Sequence, residues 1–189
     1  TPGYQYLYRV LQFLQWQKKR KGQGVRRWLL KAPHHVHHLD LLLETFPGAK
    51  VVQTHRDPLE TMPSFTSLNY GLWKLNTDNP DAQAVADIWC TKFSHSMRRA
   101  IGVRDQHPDC FLDVNYRDTT RNADGVLESI YKFIDMEFTD KAKVSIEEWR
   151  DKNRRDDRAV HEYSLEQFGY TEDFLKVEFK EYRDRYGFE

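Results

Sequence analysis

An arginine and a serine eight residues apart are placed to bind a phosphate group. Arg56 and Ser64 flank Pro58, at which a helix is predicted to begin. Phosphate groups are commonly bound by the guanidinium group of an arginine, by a hydroxyl donor and by the N-terminus of a helix. This segment offers all three. The helical residues from Pro58 to Ser64 rise about 10 Å, most of which a forward-reaching arginine can cover. The alternative is that Arg56 forms a salt bridge and that Ser64 is an ordinary surface serine.

A cluster of histidines at residues 34–38 permits three interpretations. One histidine can take the proton of a hydroxyl group, while the nearby cation of Lys31 steadies a leaving oxygen. A zinc site is a second interpretation, because His34 and His38 have helical i, i+4 spacing, although the His-Glu-x-x-His motif and cysteine partners are missing. In the third, His37 and His38 only cover the solvent face of a helix.

Strands and helices are predicted to alternate around these residues. Pro63 is expected to open the helix that begins at Pro58 just before Ser64. Asp57 is predicted to cap this helix, with Glu60 completing a capping box. Apolar runs predict buried strands at residues 28–30, 49–54 and 111–116, and helical spacing predicts helices within 7–21, 36–46, 80–101, 126–134, 139–149 and 171–182. Residues 150–158 are predicted to form an exposed loop. The order indicates an α/β fold with a parallel sheet, which binds ligands at its strand-to-helix turns.

The sequence resembles the sulfotransferases, and in particular their bacterial-type branch. The stretches that carry the resemblance are Trp28-Leu29-Leu30-Lys31-Ala32-Pro33-His34-His35, Thr54-His55-Arg56-Asp57-Pro58, Asp113-Val114-x-Tyr116-x-Asp118 and His161-x-Tyr163-Ser164-Leu165-Glu166-Gln167-Phe168-Gly169. The resemblance covers most of the chain. It implies a partial three-layer αβα parallel sheet of the P-loop nucleotide-hydrolase and sulfotransferase type.

The same resemblance assigns roles to individual residues. It implies transfer of a sulfuryl group from 3'-phosphoadenosine 5'-phosphosulfate to an acceptor hydroxyl or amine, with no metal. Arg56 and Ser64 match the pair that holds the cofactor's 3'-phosphate, and Tyr116 matches a residue that contacts the adenine. His35 matches the histidine of the Lys-x-Pro-x-His pattern and becomes the candidate base, with Lys31 beside the leaving group. Arg158 is a further candidate, since relatives carry basic residues near the cofactor in this region.

The chain departs from the family pattern in two places. The family binds the 5'-phosphosulfate in a Gly-rich loop between a strand and a helix, and the nine glycines here are scattered. We therefore expect residues 1–189 to form the C-terminal fragment of a single sulfotransferase domain. This fragment is expected to be inactive by itself. The second departure is Arg121-Asn122-Ala123, where relatives carry an Asp-Pro pair.

Composition limits the other functions. Lysine plus arginine and aspartate plus glutamate both number 29, so a zero net charge argues against nucleic-acid binding. No apolar run is long enough for a membrane span, and cytoplasmic location is the default expectation. The expected partner is a small-molecule acceptor, and Tyr70 and Trp73 are candidates to line its pocket. A P-loop kinase-like phosphotransferase and a non-catalytic nucleotide-binding or interaction module are the alternatives, with the oligomeric state open.

Overall fold

A computed structural model describes residues 2–153 and 162–188, and its contacts divide the chain into two compact units. Unit 1 comprises residues 1–49 and 95–110, and unit 2 comprises residues 50–94 and 111–189. The helices are α1 (Pro2–Arg20), α2 (Leu39–Thr45), α3 (Pro58–Lys74), α4 (Ala82–Gln106), α5 (Tyr116–Arg121), α6 (Ala123–Phe133), α7 (Asp140–Lys152), α8 (Glu172–Glu178) and α9 (Lys180–Tyr186), and the strands are β1 (Val51–His55) and β2 (Phe111–Asn115). Short 3-10 helices cover Pro33–His38, Pro108–Cys110 and Glu166–Phe168. No helix of the described ranges is both long and apolar enough to cross a bilayer.

Strands β1 and β2 of unit 2 pair in parallel. His55 lies opposite Asn115 at the carboxyl end of the pair. Thus the turns that leave the two strands begin side by side at one edge of the sheet, as predicted for an α/β fold. In the described part of the chain, these two strands make up the sheet.

The predicted strand at Trp28–Leu30 is wrong. Residues 23–32 have no regular secondary structure, and the Leu29 side chain is 94% exposed. A strand is stabilised by backbone pairing with a neighbour, and a three-residue apolar run does not by itself supply one. Trp28 instead lies against the cationic end of α1, with Lys18 Nζ 4.6 Å from its ring centroid.

The helices follow their predicted start signals more closely. Asp57 caps α3, because its side chain accepts a hydrogen bond from Leu59 N, and Thr139 and Thr171 cap α7 and α8 in the same way. The helix predicted over residues 36–46 divides into the 3-10 turn Pro33–His38 and α2. Tyr116, predicted as the last residue of a strand, begins α5. Residues 150–152 belong to α7 instead of the predicted loop, and 154–158 lie outside the described residues.

The core of unit 2 is formed by helices α3, α4 and α8 together with the segment around Tyr170. Its buried members are Met62, Ala86, Cys90, Phe168, Tyr170, Leu175 and Phe179. The Tyr170 hydroxyl donates to Ala86 O at 3.0 Å and lies 2.9 Å from Thr66 Oγ1, while burial raises its pKa to about 12. The buried hydroxyl is therefore fully hydrogen-bonded and neutral.

Replacing Gly169, which precedes Tyr170, with alanine should destabilise unit 2. Gly169 has a φ of 67°, in the left-handed region, so a Cβ is expected to cost about 1–2 kcal/mol in urea unfolding. The matched control is Gly71→Ala, because Gly71 lies inside α3 and a Cβ there would meet nothing within 4 Å. Alanine should stabilise that site by about 0.5–1 kcal/mol. Equal effects of the two changes would contradict this account.

Candidate active site

The turn after β1 places Arg56 directly against Tyr116. Because His55 pairs with Asn115, the next residues, Arg56 and Tyr116, leave the sheet together. The Arg56 guanidinium carbon lies 4.6 Å from the centroid of the Tyr116 ring. This cation–π contact holds a partly exposed guanidinium group against the ring, and it joins two residues that the family resemblance assigned to one nucleotide.

Glu60, in the first turn of α3, binds the same arginine. Arg56 Nε donates to Glu60 Oε2 at 2.8 Å, and Arg117 Nη2 donates to Glu60 Oε1 at 3.4 Å. The hydrogen bond from Arg56 is the main cause that lowers the pKa of Glu60, so this carboxylate is ionised at neutral pH. Glu60, predicted to complete the capping box, therefore bridges two guanidinium groups.

Ser64 lies further along α3 and is half-buried. Helix α3 continues through Pro63 to Lys74, so the predicted opening of the helix before Ser64 is not observed in the assigned secondary structure. Pro63 itself is buried. Ser64 therefore projects from a regular helix that begins beside Arg56.

The C-terminal helix α9 packs against the turn that follows β1. Buried His55 places Nδ1 3.0 Å from the Tyr182 hydroxyl and Nε2 3.0 Å from Asp113 Oδ1, and its ring stacks on Tyr186 at 3.6 Å between centroids. Burial is the main cause that raises the pKa of Tyr182, which keeps its hydroxyl protonated. Each polar atom of this imidazole therefore has a fixed neighbour.

An ion pair with Arg183 fixes the other side of the turn. The Arg183 guanidinium donates to Asp57 Oδ1, which also accepts the capping hydrogen bond from Leu59 N at 3.0 Å. The two charged side chains are 6% and 10% exposed. Sequence reasoning predicted the capping role of Asp57 but missed its ion pair with Arg183 and the contacts of His55. The one sequence feature that could have indicated these contacts is Tyr182, a polar residue in an otherwise apolar helix pattern. No local motif relates Tyr182 to His55, which lies 127 residues earlier.

In unit 1, His35 has a defined environment. Its Nδ1 lies 2.9 Å from the Tyr4 hydroxyl, and the two rings are stacked with centroids 5.9 Å apart. Partial burial, followed by the neighbouring His34, lowers the pKa of His35, so the imidazole is neutral at pH 7. If Nδ1 donates its proton to the tyrosine oxygen, Nε2 keeps a lone pair that can accept another proton.

The remaining histidines differ from one another. His37 is half-buried and its Nδ1 hydrogen-bonds to the buried Ser96 hydroxyl, so the prediction that it merely covers the solvent face is wrong. His38 is exposed, as predicted. Within residues 2–153 and 162–188, no three His, Cys, Asp or Glu side chains are grouped as possible metal ligands.

The other predicted site residues have fewer contacts. Lys31 is exposed in the irregular segment that precedes the 3-10 turn carrying His35. Arg158 lies outside the described residues. Tyr70 lines an open cavity of about 490 Å³ whose other lining residues are Lys74, Thr77, Asp78, Asn79 and Pro80. The structure thus joins Arg56 to Tyr116, while Lys31 and His35 belong to unit 1.

Comparison with known proteins decides the family. A model of the sulfotransferase family matches residues 4–140, which is more than half of the chain. The chain belongs to the sulfotransferase family. It is 26% identical over 110 residues to the omega-hydroxy-beta-dihydromenaquinone-9 sulfotransferase Stf3 of Mycobacterium bovis and to that of Mycobacterium tuberculosis, a match covering 57% of this chain and 28% of each relative.

Solved sulfotransferases have the same fold. The structure of STF9 from Mycobacterium avium matches 96% of this chain with 27% identity and a TM-score of 0.81, and the chain covers 46% of STF9. STF1 from Mycobacterium tuberculosis matches 82% of the chain with 27% identity and a TM-score of 0.63, and 39% of STF1 is covered. The predicted α/β sulfotransferase fold is confirmed. The chain spans less than half the length of each of these sulfotransferases.

Proposed function

We propose that this sulfotransferase chain contributes to an enzyme that moves a sulfuryl group from 3'-phosphoadenosine 5'-phosphosulfate to the hydroxyl group of a small molecule. The observation that carries the proposal is the contact between Arg56 and Tyr116 at the carboxyl end of two parallel strands. A cation stacked on an aromatic ring, beside the N-terminus of a 17-residue helix, suits a nucleotide that carries an extra phosphate. The name of the Stf3 relatives specifies a hydroxylated acceptor, which favours a hydroxyl over an amine.

The residues present fit the 3'-phosphate end of this cofactor. Arg56 is bound to Glu60 through Nε, and this contact leaves the terminal nitrogens of its guanidinium group for an anion. We assign the 3'-phosphate to Arg56 and Ser64, and the adenine to Tyr116. Arg158 remains a sequence-based candidate for the same cofactor. When bound, the cofactor supplies the activated sulfuryl group.

Residues of unit 1 supply the proton chemistry in this proposal. Neutral His35 takes the proton of the acceptor hydroxyl at Nε2, while Tyr4 fixes the orientation of its ring. The ammonium group of Lys31 stabilises negative charge on the leaving oxygen. The zinc interpretation of the histidines is not needed for this reaction.

Arg56→Ala tests the nucleotide assignment by calorimetry. The protein should bind adenosine 3',5'-bisphosphate more tightly than adenosine 5'-phosphate, because only the first carries the 3'-phosphate. Arg56→Ala should weaken binding of the bisphosphate by about 1.5–3 kcal/mol, the range of a charge-assisted hydrogen bond, and abolish most of the preference.

Arg150→Ala is the matched control for that change. Arg150 also pairs with a carboxylate, Asp124, and its side chain is 35% exposed, against 32% for Arg56. Arg150→Ala should keep the preference for adenosine 3',5'-bisphosphate over adenosine 5'-phosphate. Equal affinity of the unchanged protein for the two nucleotides would refute the proposed function, whereas a preference without sulfuryl transfer by the whole protein would indicate a non-catalytic binding module.

A further inference from the structure

Arg117 lies beside the proposed phosphate site, although no sequence motif points to it. It follows Tyr116 in the first turn of α5, and its backbone N–H donates to Asn115 Oδ1 at 2.9 Å. This cap fixes the start of its side chain at the same edge of the sheet as Arg56. Its guanidinium group then reaches Glu60 Oε1, while Arg56 occupies Oε2.

One carboxylate therefore holds two guanidinium groups that come from neighbouring strand-to-helix turns. Two cations brought together without Glu60 would repel each other, and the shared carboxylate removes most of that repulsion. Each arginine gives Glu60 a single N–H group, so both keep donors directed elsewhere. The Arg117 side chain is 61% exposed, and an incoming anion can reach it.

The charges of the site show what Arg117 adds. Arg56 and Glu60 cancel, so this pair alone offers no net charge to a phosphate monoester, which carries close to two negative charges at neutral pH. The nearby carboxylate of Asp57 is already compensated by Arg183. Together, Arg56, Glu60 and Arg117 carry a single net positive charge.

We propose that Arg117 is a second guanidinium ligand of the 3'-phosphate bound by Arg56, with Glu60 positioning both groups. This inference rests on the proposed function. A nucleotide without a 3'-phosphate presents no group to Arg117, so the residue acts on discrimination between nucleotides and contributes little to adenine binding.

Titration of Arg117→Ala with the two adenosine nucleotides tests this role. The affinity for adenosine 3',5'-bisphosphate should fall about tenfold, the lower part of the range for a charge-assisted contact because the side chain is exposed. The affinity for adenosine 5'-phosphate should change by less than about twofold. Arg117→Gln should behave in the same way, which guards against an effect of the shortened side chain on folding.

Arg121→Ala is the control for bulk charge, since Arg121 is an exposed arginine of the same helix. It should leave both affinities within about twofold. If the unchanged protein prefers the bisphosphate and Arg117→Ala keeps that preference, the role of Arg117 is refuted and the proposed function stands. An equal loss of affinity for the bisphosphate in Arg121→Ala would also refute the role of Arg117. Absence of any preference in the unchanged protein would instead refute the proposed function itself.

Discussion

Replacing Arg183 with alanine should lower the free energy of unfolding by about 3–5 kcal/mol. Arg183 and Asp57 form a buried ion pair, and removal of the cation leaves the Asp57 carboxylate without its compensating charge in a site from which water is largely excluded. The effect is measured by urea unfolding followed by circular dichroism. We also expect weaker binding of adenosine 3',5'-bisphosphate, because Asp57 caps α3 and is adjacent to Arg56.

Two further variants separate the ion pair from other effects of Arg183. Arg185→Ala removes an exposed arginine from the same helix and should cost less than about 1 kcal/mol. Asp57→Asn combined with Arg183→Met keeps a capping side chain and removes both charges, so it should be clearly more stable than Arg183→Ala. If the double variant is the less stable of the two, desolvation of an unpaired carboxylate is not the source of the loss.

The turn after β1 shows which part of the site the sequence could predict. Its strand, its Asp57 cap and its Pro58 start are local signals, since each depends on residues within a few positions of one another. The approach of Arg56 to Tyr116 follows from the pairing of β1 with β2, whereas the α/β pattern indicates only that the sheet is parallel. The strand, the cap and the start of the helix were therefore predictable from the sequence alone.

The contacts of α9 show what could not be predicted. Arg183 reaches Asp57 across 126 residues of sequence, and neither side chain belongs to a motif that includes the other. The pairing depends on how the C-terminal helices pack, which a single sequence does not specify. The error at Trp28–Leu30 has the opposite origin, because a local apolar run was read as a strand without knowledge of its neighbours.

The contacts of Arg56 with Tyr116 and Glu60 depend on a guanidinium group, which lysine lacks. Arg56 stacks on Tyr116 and also donates through Nε to Glu60, and lysine has neither a planar group nor an equivalent of Nε. Arg56→Lys keeps the charge but loses the geometry of both contacts. Its preference for the bisphosphate should therefore lie between those of the unchanged protein and Arg56→Ala, which separates the contribution of charge from that of geometry.

The largest expected effect on activity belongs to His35. In the whole protein, His35→Ala should lower kcat by about 10²–10⁴-fold, the usual contribution of a positioned general base, while cofactor affinity survives. The measurement is transfer from radiolabelled 3'-phosphoadenosine 5'-phosphosulfate to a panel of alcohols and phenols. Since burial lowers the pKa of His35, the base stays deprotonated to a lower pH than an ordinary histidine, and the loss of kcat on acidification should occur at lower pH than it would with an unshifted histidine as the base.

The neighbours of His35 provide the controls for its assignment as the base. His38→Ala should leave kcat within about twofold, because His38 is exposed, and it is a better control than His37→Ala, which would also break the contact with Ser96. Tyr4→Phe removes the hydroxyl that orients His35 and should lower kcat less than loss of the imidazole itself. Normal turnover by His35→Ala together with loss of turnover in His34→Ala would move the base to His34. If neither variant changes kcat, the proton is taken by a group other than these two histidines.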